Sequence, residues 1–93
     1  MSPFVPGEEC REIDARILVL ARLAASRLDD ATLPVFRSAI ERRMALYGDR
    51  PYFQEWLAVA ARGPQAVRDL LLDLSEHGRY MRTVAPVRAL VTR

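Results

Sequence analysis

The chain has no lysine, one cysteine, one histidine and four glycines in 93 residues. Each shortage removes a class of chemistry. Without Lys there is no Walker-type phosphate loop, and the glycines stand apart with no Gly-x-Gly-x-x-Gly, so no nucleotide site is readable. Cys10 alone cannot close an intramolecular disulfide, and Cys10 with His77 cannot supply the three or four soft ligands of a zinc centre. Long apolar runs are missing too. The strongest, Ile17 to Ala21, falls far short of the roughly 20 residues that span a bilayer. The opening Met-Ser-Pro-Phe-Val-Pro-Gly-Glu-Glu lacks the basic and then apolar segments of a secretory leader. A cytoplasmic protein with no membrane span, metal or cofactor is the expectation.

What is present describes a folded chain. Hydrophobic residues make up 51%, charged residues 28%, and the mean hydropathy is -0.04, a balance that supports one small core. The length predicts a single helical domain over 1–93, with residues 1–7 as an irregular arm carrying Pro3, Pro6 and Gly7, and 86–93 as a tail.

Periodicity predicts an all-α fold, a small bundle of four helices with a short C-terminal helical turn or extended tail. A first helix starts near Glu8, with Glu8, Glu9 and Glu12 at the positive end of its dipole. Its stripe of Ile13, Ile17, Leu20, Ala24 and Leu28 is widened by Leu18, Val19 and Leu23, which predicts broad burial. Asp29, Asp30, Thr32 and Pro34 break that pattern and offer a cap. Leu33, Phe36, Ile40, Met44 and Tyr47 then form a second helix that ends at Gly48. Asp49, Arg50 and Pro51 open a third, with Phe53, Trp56, Leu57 and Ala60 on one side and a stop at Gly63. Pro64 opens a fourth, whose Val67, Leu70, Leu71 and Leu74 carry the spacing to Gly78. The 15-residue interval between Gly48, Gly63 and Gly78 reflects helix length, since the intervening segments share little beyond Leu57 and Leu72.

Catalytic constellations fare poorly. Cys10 and His77 lie on separate predicted helices with no motif around either, and Ser2, Ser26, Ser38 and Ser75 sit in no nucleophile elbow. Asp69, Asp73 and His77 fall at i, i+4 and i+8, but no Glu-x-x-His motif accompanies them, and a solvated acidic stripe is the expected reading. No enzyme is expected.

Two kinds of surface remain. Tyr52, Trp56 and Tyr80 are ring types that dominate protein contacts, and the wide apolar face of the first helix exceeds what four short helices cover. The primary expectation is a non-catalytic interaction protein, a small bacterial-type helical regulator or adaptor that contacts a protein partner or itself as a homodimer. The alternative is a nucleic-acid-binding regulator. All fourteen basic residues are Arg, for a net charge of +2, and Arg79, Arg82, Arg88 and Arg93 occupy 77–93 without an acid, with Arg42 and Arg43 as a second basic pair. No glycine, tried as the turn, frames a good helix-turn-helix motif, and Glu12 with Arg16 or Arg37 with Glu41 at i,i+4 gives other arginines local partners.

Overall fold

A computed structural model describes residues 6–91, with side chains described from Ile13 onward. The chain is all-helical over that range: α1 (Pro6–Arg27), α2 (Leu33–Tyr47), α3 (Pro51–Ala61), α4 (Pro64–Leu71), α5 (Glu76–Val84) and α6 (Arg88–Val91). Four helices are therefore too few. The segment expected as one helix from Pro64 to Gly78 is broken, with α5 opening at Glu76 and running on to Val84, and within 86–93 the chain forms the short helical turn α6.

The break between α4 and α5 has a local cause. Asp73 Oδ1 accepts from the Ser75 N–H at 2.8 Å, and the Ser75 hydroxyl accepts from the Gly78 N–H at 3.1 Å, so Ser75 caps a new helix at the point where the apolar spacing ran on. Gly78 does not stop a helix. It lies in the first turn of α5, buried, where a Cβ would meet the Asp73 carbonyl oxygen at 2.1 Å, so no side chain fits between the turn and α5. Gly48 and Gly63 do end segments, with φ of +94° and +112° that β-carbon-bearing residues avoid. Pro34, Pro51 and Pro64 stand in the first turns of α2, α3 and α4, where a missing N–H costs nothing. The Asp29 and Thr32 side chains hold the preceding loop and do not cap α2: the Asp29 carboxylate accepts from the N–H groups of Ala31 and Thr32, and Thr32 Oγ1 donates to the Arg27 carbonyl at 2.8 Å, while their backbone carbonyls accept from Leu33, Val35 and Phe36 of α2.

Trp56, Phe36, Ile40, Leu71, Met81 and Val67 fill the centre. Trp56 meets Phe36 edge-to-face at 5.3 Å, and its Nε1–H donates to the Met81 carbonyl at 3.0 Å, which joins α3 to α5. α1 enters the core through Ala21, Ala24, Ala25 and Leu28, small side chains that let it lie close to α4, α5 and α6. The broad burial expected for α1 is not found. Val19 and Leu23 face solvent, and Ile13 is 47% exposed although it continues the buried stripe. The long axis of the molecule is 49 Å against 29 and 25 Å for the others.

Candidate interaction surfaces

Several arginines close helix ends, where the last carbonyls have no intrahelical donor. Arg68 donates to the Ala25 carbonyl (3.1 Å) and the Leu28 carbonyl (2.7 Å) at the end of α1. Arg50 reaches Tyr47 at the end of α2 (3.2 Å), and Arg82 reaches Leu71 (3.1 Å) and Asp73 beyond α4. Arg43 reaches Val84 in α5 (3.0 Å), and Arg27 holds Leu90 (3.2 Å) and Val91 (2.6 Å) in α6. A planar guanidinium can serve two carbonyls at once, and its charge favours the negative end of a helix. Sequence spacing gave no sign of the contacts of Arg27, Arg43 and Arg68, because each joins residues 40 or more positions apart.

The expected site residues are accordingly dispersed. Trp56 is 0% exposed and has no surface to offer a partner, so its placement as a contact residue is corrected: its bulk and its N–H are both used inside. Tyr80 is exposed and meets half-buried Tyr52 edge-to-face at 6.1 Å, and Tyr52 in turn packs on Phe53. Arg82 is 5% exposed and is likewise corrected from a nucleic-acid contact to an internal one. Arg79, expected to lack acidic company, lies 3.6 Å from Asp14 of α1. Arg93 and Cys10 fall outside the described side chains. His77 pairs with Glu55 across α5 and α3. The interruption at 72–75 removes Asp69, Asp73 and His77 from a common helical face, and among the described residues no group of three or more His, Cys, Asp or Glu could hold a metal ion. No helix among them is long and apolar enough to cross a membrane.

Two grooves differ in charge. One, between α3 and α4, is lined by Glu55, Asp69 and Asp73 with Arg62. Asp73 titrates below the ordinary carboxylate range, chiefly because the Ser75 N–H and hydroxyl donate to its charged form, with His77 and Arg82 adding attraction. The other groove, roughly 430 Å³, runs between α2 and α6 and is lined by Arg42, Arg43, Leu46, Tyr47, Pro86 and Ala89, together with Ala39. No acid among the described residues lines it. Leu46 and Tyr47 are 70% and 62% exposed at its rim, and Arg42 is exposed beside them. The sequence reading used Arg42 and Arg43, named Tyr47 both among the rings suited to contact and in the stripe of the second helix, and missed Leu46. Tyr47 looked like the last core residue of its stripe, whereas the end of α2 runs past the packed centre.

Comparison with known protein families, with curated proteins and with solved structures finds no match.

Proposed function

We propose that the chain is a non-catalytic interaction protein, a small regulator or adaptor that works through protein contacts and associates with itself, and that its contact face is the groove between α2 and α6. The observation that carries this reading is the exposure of Leu46 and Tyr47 side by side with Arg42 along an acid-free groove. A Tyr and an Arg around an apolar anchor are the residue types that supply most binding energy at protein interfaces. Their setting at a helix end, with Arg50 fixing the Tyr47 carbonyl, presents them on a rigid element.

Sedimentation velocity over a range of concentrations tests the proposal. Association that strengthens with concentration and is lost in Leu46→Glu, with helix content and melting temperature unchanged, is the expected result. A strict monomer at high micromolar concentration, or a dimer indifferent to Leu46→Glu, overturns it.

Nucleic acid remains the second reading because Arg42 and Arg43 lie together on that groove and Arg88 lines the neighbouring one. It no longer rests on Arg79 or Arg82. Phosphate contacts would make DNA or RNA affinity fall steeply between low and moderate salt. No binding at low salt removes this reading.

A further inference from the structure

We infer that the α2–α6 groove receives the acidic N-terminal segment of a second copy of this chain, so that the protein assembles by exchange of arms. This rests on reading the groove as a protein contact face, and it names the occupant.

The groove sets the requirement. Arg42 and Arg43 supply positive charge, Leu46, Tyr47, Pro86 and Ala89 supply apolar surface, and no acid among the described residues lines the groove. The adjoining groove, which shares Arg43 and contains Ile17, Leu20, Val87 and Arg88, repeats that composition, so the basic and apolar face continues across α6 to α1. A complementary ligand is acidic with a few large apolar side chains.

Most acids of the body are engaged where they stand. Asp14 faces Arg79, Glu55 pairs with His77, Asp29 and Asp73 accept from their own loops, Asp49 accepts from Gln54, and Asp69 from Gln65. The densest acidic stretch is at the start of the chain. Residues 1–12 hold Glu8, Glu9 and Glu12 against Arg11, a side-chain balance of three negative and one positive, with Phe4 and Val5 a few residues before them. Acid and apolar anchor thus occur together, in the combination that the groove calls for.

Symmetry favours another copy's segment over the chain's own. α1 is continuous from Pro6 to Arg27, and its Ile17 and Leu20 line the adjoining groove with Arg43 and Val87. At about 1.5 Å per residue, the eleven steps from Ile17 back to Pro6 carry the helix about 16 Å along its axis. Each copy has one arm and one groove, so two copies satisfy both through a twofold arrangement with nothing left open.

Three full-length variants followed by sedimentation test the inference. Glu8→Gln/Glu9→Gln/Glu12→Gln should weaken self-association about tenfold or more, as should Arg42→Glu, with unchanged melting temperatures. Glu8→Arg/Glu9→Arg/Glu12→Arg should lose self-association alone and recover association when mixed with Arg42→Glu, because in the mixed pair both arm–groove contacts join opposite charges. If Leu46→Glu abolishes the dimer while the glutamine variant leaves it intact, the groove stands as a contact face and the arm is overturned as its occupant. A dimer indifferent to Leu46→Glu overturns both, as does a strict monomer. A monomer that binds an oligonucleotide with steep salt dependence assigns the groove to phosphate and likewise overturns the arm.

Discussion

Arg82→Met is expected to destabilise the fold severely. The side chain is 5% exposed, and its guanidinium donates to the carbonyls of Leu71 and Asp73 just where α4 has ended and its acceptors have no other donor. A hydrogen bond from a charged donor contributes about 1.5–3 kcal/mol, and a buried carbonyl left without one costs about 1–3 kcal/mol. Two such bonds, reduced by the relief of no longer burying a cation, leave a net loss of about 3 kcal/mol. That is a large share of the roughly 5–15 kcal/mol that holds an ordinary domain together. For a chain of this size it lowers the melting temperature by about 12 °C or more. Urea unfolding followed by circular dichroism, with the slope unchanged, gives the loss directly. Arg82→Lys separates charge from reach: Nη1 alone serves both carbonyls, and the lysine ammonium sits one atom short of that position, so about half the loss should remain. A loss below about 1 kcal/mol in Arg82→Met, or a lysine variant as stable as the parent, would refute the assignment of Arg82 as a structural clamp.

Two further outcomes concern the turns that precede α2 and α5. Gly78→Ala forces a Cβ to within 2.1 Å of the Asp73 carbonyl oxygen, a backbone atom with little freedom to move, so stability should drop by about 3 kcal/mol; a melting temperature equal to the parent's would show that the turn is looser than described. Asp73 and Asp29 both titrate below the ordinary range because their charged forms accept local hydrogen bonds. A depressed folded value means that the stability from these groups is present above the unfolded value, about pH 4, and is lost as pH falls from there through the folded one. The double variant Asp29→Asn/Asp73→Asn should therefore lose stability less steeply over that window in chemical denaturation. An unchanged acid profile would sink the attribution.

How much of this was legible in the sequence varies with the kind of signal. Helices α2 and α3 were readable because Gly48, Gly63, Pro51 and Pro64 act through the backbone alone, and local chemistry decides them. The split between α4 and α5 was hidden by Leu70 and Leu74, whose spacing of four mimics a continuing helix, while Leu74 in fact lies in solvent within the break. The pair Asp73 and Ser75 was the overlooked local cue. Trp56 illustrates a different limit. An aromatic residue at helical spacing suits a core or a contact surface equally, and the Met81 carbonyl that decides between them is 25 residues away. The Arg42 and Arg43 pair was visible, but its apolar neighbours came into view only when α6 was seen to lie beside the end of α2.

The clamped helix ends bear on how the protein comes together in time. Arg27 bonds to carbonyls 63 and 64 residues away, Arg68 to carbonyls 43 and 40 away, and Arg43 to one 41 away. A helix whose final turn waits for a cation from a distant segment cannot finish on its own, and short helices are marginal in water to begin with. Completion of each helix is thereby coupled to the docking of the others. The consequence is cooperativity: hydrogen exchange at the ends of α1, α4 and α5 should report opening of the whole molecule instead of the independent fraying that helix termini ordinarily show.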